Sequence, residues 1–282
     1  MRIADTRLLV CPLSQKPLRW EGTNLELTLV DGTLQEPDTG RAWAVVDGLP
    51  RLFDEANLKG TDRLLRHIHD GLPAAHRPLL RVGLPLLQGG GTEAALNEAL
   101  LEQLRLGELE RRSDRPVRIL EIGVGTGTQI DQVRAALPGG LHAEYWGVDL
   151  SETLLRRCRQ RWSGHALLET ASLVVADAHA LPFPDGSFDR VFHVGGFGRF
   201  DDPGRVLAEM ARVAAPQARV VVIGKRLDPR EEQAPFFQAA YRLLTLHEPE
   251  VPVERLPLPA ATTKVAEEQL SRFFFVFGPR RD

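Results

Sequence analysis

A glycine-rich turn after a short apolar run is the first feature of this sequence that could bind a ligand. The run 117–122 is followed by Gly123, Gly125 and Gly127, and Glu121 lies two residues before the first of these glycines. Glycine has no Cβ, so the backbone can turn sharply and approach a ligand closely. The N–H groups of a helix that begins there would add donors for a polar group. A glycine triplet can also serve the turn alone, so other motifs must decide.

Two carboxylates end the next two apolar runs. Asp149 ends the run 144–149 and lies 22 residues after Gly127, whereas Asp177 ends the run 172–177. A carboxylate at the end of the second strand can accept hydrogen bonds from ribose hydroxyls. The spacing E-x-G-x-G-x-G also differs from the G-x-G-x-x-G of a dinucleotide site. Both acids could instead be surface carboxylates at strand ends.

His193 is the candidate general base, because it lies at the end of the apolar run 188–194 and an imidazole titrates near neutral pH. It could instead line the pocket or pack within the strand. His67, His69 and Asp70 are weaker candidates, since a solvated helix face would also explain them. Neither these residues nor the other histidines show metal-ligand spacing, so we expect no metal.

Strands and helices alternate from residue 117 onward. Strands are predicted at 117–122, 144–149, 172–177, 188–194, 218–224 and 273–278, and helices at 128–136 and 203–213. Ser151 is placed to cap a further helix, and Asp202-Pro203 is a start signal for the helix 203–213. This alternation predicts an α/β fold with a doubly wound, mostly parallel sheet. Ligands of such sheets bind beyond the carboxyl ends of the strands, near the topological switch point.

Residues 1–54 have a different sequence pattern, with three short β-like runs at 8–10, 25–30 and 42–46. Asp31-Gly32 and Asp47-Gly48 follow the second and third runs, and Asp-Gly after an apolar run favours a turn. The pattern predicts a small antiparallel β unit of about three strands. Because such a unit has little core, we expect it to dock on something larger.

Residues 55–116 are predicted to be helical, with apolar residues at helical intervals in 61–72 and again in 92–109. Prolines and a run of three glycines interrupt the segment between these two stretches. We therefore expect three parts: the β unit 1–54, a helical linker or lid 55–116, and the core 117–282.

The composition is that of an ordinary globular chain and excludes several classes. The 282 residues are 43% hydrophobic and 26% charged, and 35 Lys and Arg against 38 Asp and Glu give a net charge of −3. This balance argues against a protein that mainly neutralises nucleic-acid phosphates. Cys11 and Cys158 are the only cysteines, so a disulfide framework is excluded. No apolar run approaches the ~18 residues of a membrane helix, and we expect a cytoplasmic protein.

Four segments together carry a family resemblance. They are EIGVGTGT, GVDLSETLL, ADAHALPFPDGSFDRV and LAEMARVAAPQARVVV, in this order along the chain. These segments resemble the ordered motifs of class I S-adenosylmethionine-dependent methyltransferases over residues 117–225. The resemblance implies a Rossmann-like sheet and S-adenosylmethionine as the cofactor, with S-adenosylhomocysteine as the product. One departure is Pro216-Gln217-Ala218, where the family usually has Pro-Gly-Gly.

The resemblance also implies roles for single residues. The methionine part of the cofactor would lie against Glu121, Gly123, Gly125 and Gly127. Asp149 would hold the ribose hydroxyls, and the adenine would lie against Leu150, Asp177 and Ala178. His193 would border the same space.

Within the class, the Leu-Pro-Phe segment and AEMARV resemble the small-molecule branch, which includes the ubiquinone and menaquinone biosynthesis methyltransferases. This resemblance implies transfer of a methyl group to an apolar or aromatic small molecule by in-line displacement.

The N-terminal β unit has a resemblance of its own. LLVCPLS, GRAW and VDGLPRL resemble a small zinc-ribbon-like domain found as an activator of tRNA and protein methyltransferases. Ser14 replaces the second cysteine of that family, and the stretch 36–41 contains no cysteine. Cys11 alone cannot build a structural zinc site, so we expect a metal-free version used for packing or partner contact. The unit could also be a simple N-terminal strand extension, or support a homo-oligomer.

Two other functions stay open at this point. One is an RNA methyltransferase, because Arg156, Arg157, Arg159 and Arg161 form the densest basic cluster of the chain. The same arginines could be the solvated face of a helix, and the negative net charge makes nucleic acid an improbable partner. The other is a non-catalytic scaffold of the same fold, which the intact glycines and acids argue against.

Overall fold

The computed structural model describes residues 1–58, 93–163, 171–225, 262–271 and 274–281. Its strands are β1 Arg19–Leu25, β2 Thr28–Gln35, β3 Ala42–Val46, β4 Leu49–Leu52, β5 Val117–Ile122, β6 Ala143–Asp149, β7 Ala171–Ala176, β8 Phe188–Gly195, β9 Ala214–Lys225, β10 Thr262–Ser271 and β11 Phe274–Arg281. Its α-helices are α1 Glu93–Leu104, α2 Ile130–Ala135, α3 Glu152–Arg161 and α4 Pro203–Val213. Short 3-10 helices lie at Ile3–Leu8, Glu55–Asn57, Leu106–Glu108 and Phe197–Arg199. In the part of the chain described, none of the helices combines the length and apolarity needed to cross a bilayer.

All eleven strands belong to one mixed sheet. Their order is β1-β2-β3-β4-β7-β6-β5-β8-β9-β11-β10. The strands from β4 to β9 in this order pair in parallel, whereas β1 to β4 and β9 to β10 pair antiparallel. The chain runs from β5 to β6 on one side and later to β8 on the other, so β5 is the switch point. The predicted α/β, doubly wound fold is confirmed.

Both faces of the parallel strands are buried, which explains why their sequences are almost continuously apolar. In β5, Leu120 and Ile122 belong to one apolar cluster, whereas Val117 and Ile119 belong to another. α4 packs in the first cluster together with residues of the N-terminal β unit, and α1, α2 and α3 contribute to the second. The sheet is thus covered on both sides by different elements.

The helix start signals in the sequence are confirmed. The Ser151 hydroxyl accepts a hydrogen bond from the Leu154 N–H (3.3 Å) at the start of α3. The Asp202 carboxylate accepts one from the Arg205 N–H (2.9 Å), and Pro203 is the first residue of α4. These side chains satisfy N–H groups that the first turn of a helix leaves unpaired.

Two of the three strands predicted in the N-terminal β unit are wrong. Leu8 ends the 3-10 helix Ile3–Leu8, and Val10 forms only an isolated bridge with Pro17. The helix forms because the Asp5 carboxylate accepts hydrogen bonds from the Arg2 backbone and guanidinium. Local side-chain hydrogen bonds of this kind compete with strand pairing.

The run 25–30 contains a hairpin turn and is not a single strand. β1 ends at Leu25 and β2 begins at Thr28, with Glu26 in the left-handed region (φ +51°). The Asp31-Gly32 dipeptide, predicted to be a turn, lies within β2, where Gly32 pairs with Gly22. A Cβ on either glycine would lie within 2.7 Å of the Trp20 ring, so the glycines permit close strand approach.

The other predictions for the chain hold in part. The run 42–46 is β3, and Asp47-Gly48 is the turn after it, with φ of +50° and +69°. The helix predicted over 92–109 ends at Leu104, because Arg105 is left-handed (φ +45°). β10 was not predicted. The stretch 61–72, including the candidates His67, His69 and Asp70, lies outside the described residues.

The N-terminal β unit extends the sheet of the core. β4 pairs in parallel with β7, with Arg51 opposite Val175 and Leu52 opposite Ala176. Leu52 is fully buried in the same apolar cluster as Leu120 of β5. Because this cluster is shared, we expect residues 1–54 and the core to unfold together, although the sequence boundary at 54 stays a prediction.

Replacing Leu52 by Ala tests this expectation. Leu52 is 0% exposed, so its replacement would open a cavity in the shared cluster. The substitution should lower the free energy of unfolding of the whole protein by about 2–5 kcal/mol, and the protein should still unfold in one transition. Urea unfolding followed by tryptophan fluorescence and circular dichroism measures this change. Leu25→Ala, at a position 71% exposed, is the control and should change it by less than about 0.5 kcal/mol. A separate early transition confined to the N-terminal unit would contradict the expectation.

Candidate functional site

A pocket opens at the carboxyl ends of β5, β6, β7 and β8, beside the switch point of the sheet. Ligands of open α/β sheets bind at this place. Seven of the nine residues predicted to contact a cofactor line the pocket: Gly123, Gly125, Asp149, Leu150, Asp177, Ala178 and His193. Most of the residues that were predicted to contact a cofactor therefore lie around one pocket.

The glycine turn forms the floor of the pocket. Gly123 and Gly125 both adopt left-handed conformations (φ +68° and +54°), which glycine takes at no steric cost. A Cβ on Gly123 would also lie 3.2 Å from the imidazole of His193. The Gly123 N–H donates to the Val148 carbonyl (2.8 Å), so the turn is fastened to the neighbouring strand β6. A larger residue at position 123 would both strain the turn and crowd the pocket.

Asp149, at the end of β6, holds two segments of the pocket wall. One carboxylate oxygen accepts the Gly125 N–H (2.8 Å), and the other accepts the Ser151 N–H (2.8 Å). The first bond fixes the glycine turn, and the second fixes the start of α3. A carboxylate has about four acceptor positions, so its chemistry permits hydrogen bonds to a ligand in addition to these two.

Asp177, at the opposite wall, is oriented by a histidine that the sequence analysis did not select. His179 Nδ1 lies 2.7 Å from the Asp177 carboxylate, and His179 Nε2 accepts the Asp202 N–H (3.2 Å). Since Nε2 accepts, the proton of the neutral ring is on Nδ1 and is donated to Asp177. The ring also meets Phe200 edge to face, with 5.8 Å between centroids. The signal for His179 was its place two residues after a strand-end aspartate.

His193 is buried (3% exposed) and lies between the glycine turn and two phenylalanines. Its Nδ1 lies 2.8 Å from the Ile122 carbonyl, which can only accept, so Nδ1 carries the proton. The neutral ring therefore has Nε2 as its basic nitrogen. Phe197 and Phe200 pack against the imidazole, with 6.0 and 5.2 Å between ring centroids. The side chain is thus both packed and at the pocket wall, which agrees with the two alternatives of pocket lining and packing within the strand. Its role as a general base stays a prediction.

Glu121 and Gly127 are placed behind the pocket wall. The Glu121 carboxylate is buried and accepts a hydrogen bond from the Tyr145 hydroxyl. Burial raises the pKa of Glu121 to about 8; the Tyr145 hydrogen bond opposes this change, and the charge of Asp149 adds to it. A Cβ on Gly127 would lie 2.7 Å from the Cys158 sulfur, so this glycine permits close packing of α3. Their contact with a cofactor stays a prediction.

Arg199 and Phe200 also line the pocket, and sequence reasoning missed both. They belong to the segment that follows β8, where the short 3-10 helix Phe197–Arg199 carries the chain across the carboxyl edge of the sheet. Their position directly after a predicted core strand was the available signal. The segment has no periodic pattern that would have distinguished these two residues from an ordinary loop.

The arginine cluster of α3 is divided between internal contacts and solvent. Arg156 contacts the carboxylates of Asp47 and Glu152, and Arg159 contacts the Asp47 carbonyl. Arg157 and Arg161 are exposed, and the Arg161 guanidinium lies over the ring of its neighbour Trp162, 5.1 Å from the centroid. Two of the four arginines thus serve contacts within the protein, and the other two belong to a solvated helix face.

The N-terminal segments that resemble a zinc ribbon form two similar turns. The Gln15 N–H donates to the Cys11 carbonyl (2.8 Å), and the Gly40 N–H donates to the Glu36 carbonyl (2.9 Å) in the same way. Within the described ranges, no three His, Cys, Asp or Glu side chains come together as a metal site would require. A role of this unit as a metal-free packing or partner domain stays a prediction.

Comparison with known proteins agrees with this fold and pocket. Residues 120–222 match the family profile of a methyltransferase domain. This match and the strand order agree with the resemblance seen in the motifs of the same segment, and that resemblance is confirmed.

Two of the relatives found are bacterial methyltransferases. The chain is 39% identical over 108 residues to a demethylmenaquinone methyltransferase of Thermus thermophilus, covering 38% of this chain and 47% of that one. It is 36% identical over 130 residues to a malonyl-[acyl-carrier protein] O-methyltransferase of Halorhodospira halophila, covering 45% and 41%. The chain thus spans less than half the length of these relatives.

A solved structure supports the fold alone. Phosphoethanolamine N-methyltransferase 2 of Haemonchus contortus, in complex with S-adenosyl-L-methionine, aligns with a TM-score of 0.58 at 15% identity. The alignment covers 85% of this chain and 63% of that one.

The buried Glu121 predicts a pH dependence of stability. Its pKa is about 8 in the folded protein against an ordinary 4.5, so between these pH values the native state holds a proton that the unfolded state has released. The unfolding free energy should therefore fall as pH rises through this window, by up to ~1.4 kcal/mol per pH unit. Glu121→Gln should reduce this fall, whereas Glu21→Gln, at an exposed position of β1, should not.

Urea unfolding at several pH values between 4.5 and 8 measures the effect in the three proteins. If the free energies of unfolding of the wild type and Glu121→Gln change equally with pH, the prediction is contradicted.

Proposed function

We propose that this protein is an S-adenosylmethionine-dependent methyltransferase that methylates a small apolar or aromatic molecule. The observation that carries the proposal is the pocket at the switch point, where the glycine turn, Asp149 and Asp177 face one space. The relatives named above support it, since their names describe methyl transfer to small or carrier-bound molecules. Their acceptors differ, so they support the reaction more strongly than any one acceptor.

The residues present fit the proposed cofactor. Asp149 would accept hydrogen bonds from the ribose hydroxyls, as its place at the end of β6 suggests. Leu150 and Ala178 offer apolar contacts for the adenine, and the Asp177 carboxylate can accept a hydrogen bond from an exocyclic amine. The turn at Gly123 has no side chain between its backbone and the pocket, so the methionine part could approach it closely.

When bound, the cofactor supplies a methyl group on a sulfonium, which is reactive without help from a metal. The chain would contribute alignment of the acceptor, exclusion of water and a base. His193 Nε2 would take the proton of the acceptor as the new bond to the methyl carbon forms. The transfer would leave the neutral thioether of S-adenosylhomocysteine. Ile122, which holds Nδ1, would keep the ring in the required tautomer.

Two expectations from the sequence accompany this proposal. One is a cytoplasmic location, and the other is a homo-oligomer or protein partner bound through residues 1–54.

Calorimetric titration with S-adenosylmethionine and S-adenosylhomocysteine tests the cofactor. The wild type should bind both compounds, and Asp149→Asn should bind them about tenfold more weakly or worse. The reason is that the backbone N–H groups of Gly125 and Ser151 donate to two different oxygens of the carboxylate, whereas an amide has one acceptor oxygen. Asp114→Asn removes the same charge at an exposed site outside the pocket and is the control. Circular dichroism verifies that each variant is folded. A folded wild type that binds neither compound would overturn the proposal and favour a scaffold.

Replacement of His193 tests the proposed base. With an acceptor identified from a panel of quinols and phenols, His193→Gln and His193→Ala should lower kcat by about 100-fold at saturating cofactor, because proton removal would then depend on water. Cofactor affinity, measured by titration, separates this effect from weaker binding. A change in kcat of only a few fold would leave His193 as a lining residue.

A further inference from the structure

An ion-pair network joins the N-terminal β unit to the start of α3. Arg51, on β4, places its Nη2 2.6 Å from Oε2 of Glu152, in the first turn of α3. The other oxygen of Glu152 accepts hydrogen bonds from Arg156 at 2.8 and 3.0 Å. Arg156 in turn contacts the carboxylate of Asp47, in the turn between β3 and β4. Glu152 is therefore held between a residue of its own helix and a residue of the N-terminal unit.

Glu152 is adjacent to residues of the pocket. It follows Ser151, whose N–H donates to the Asp149 carboxylate (2.8 Å) and whose side chain caps α3. Leu150, Ser151 and Leu154 all line the pocket. The position of the first turn of α3 thus determines where one wall of the pocket lies and how one oxygen of Asp149 is held.

β4 also supports the opposite wall. Its residues Arg51 and Leu52 lie opposite Val175 and Ala176 in β7, and Ala176 lines the pocket directly before Asp177. The last two residues of β4 are therefore in register with the last two residues of β7. The Arg51 side chain reaches from β4 to Glu152 of α3, so it links the two walls of the pocket.

We propose that Arg51 is a positioning residue for cofactor binding, which acts through Glu152 on the segment Asp149–Ser151, and that the N-terminal β unit is in this way part of the binding apparatus. The inference rests on the proposed cofactor. Arg51 is not among the lining residues, so its effect must be indirect. It should change the affinity for the cofactor and leave the rate at saturation largely unchanged.

The electrostatic surroundings agree with such a role. Burial raises the pKa of Glu152, but the hydrogen bonds and charges of Arg51 and Arg156 lower it more, so its pKa is below the usual range. The Glu152 side chain is 16% exposed and that of Arg51 is 40% exposed. A pair this open to solvent contributes modestly to stability and is weakened by salt. We therefore expect a measurable effect on binding without loss of the fold.

The test is a double-mutant cycle on S-adenosylhomocysteine affinity, measured by calorimetry with the full chain. Arg51→Gln and Glu152→Gln should each weaken binding by about three- to tenfold, and the double variant should be no weaker than the worse single variant, since the two act on one contact. Arg51→Lys should restore most of the affinity. Arg41→Gln, at an exposed position of the same β unit, is the control and should bind like the wild type.

Each outcome separates the two proposals. If the folded wild type does not bind, the proposed function fails, and the positioning role with it. If the wild type binds and Arg51→Gln binds equally well, only the positioning role is overturned. The same holds if Arg51→Gln lowers the melting temperature without changing affinity, or if the effects of the two variants simply add. The positioning role is supported if Arg51→Gln binds more weakly while its melting temperature and kcat are unchanged. The difference in affinity between this variant and the wild type should also disappear at high salt.

Discussion

The carboxylate of Asp149 joins the glycine turn after β5 to the start of α3, and the pocket lies between these two segments. Each oxygen accepts one backbone N–H, from Gly125 on one side and Ser151 on the other. Hydrogen bonds to an ionised acceptor are stronger than those between neutral groups, so this side chain strengthens the attachment of both segments beyond their backbone and capping hydrogen bonds. One residue therefore holds both segments of the pocket wall and also supplies a polar group to the pocket.

The rest of the fold is arranged so that this residue is held in place. β6 is buried on both faces and ends at Asp149, beside the switch point where the chain leaves room for a ligand. On the far side of the pocket, His179 orients Asp177 through a neutral, singly protonated ring. The N-terminal β unit shares the apolar cluster of the core and contacts α3 through Arg51 and Asp47. It is continuous with the sheet that carries the site.

Local patterns in the sequence, together with the family resemblance, were enough to predict the parallel core and seven of the residues that line the pocket. The β-branched runs, the spaced glycines, Asp149 and the caps at Ser151 and Asp202 each act over a few residues, so their consequences can be inferred without knowing the fold. The Asp31-Gly32 dipeptide shows where this fails, because its glycine serves a close approach to Gly22 and Trp20 across a strand pair. Likewise, the parallel pairing of β4 with β7 and the contact of Arg51 with Glu152 join segments that are far apart in the chain, and they left no local signal.

A crystal structure of the protein with S-adenosylhomocysteine would show directly whether Asp149 organises the binding site. We expect the ribose hydroxyls within hydrogen-bonding distance of Asp149, with the bonds from Gly125 and Ser151 retained and the adenine beside Asp177. A nucleoside bound elsewhere, or an Asp149 side chain turned away from both backbone donors, would contradict it.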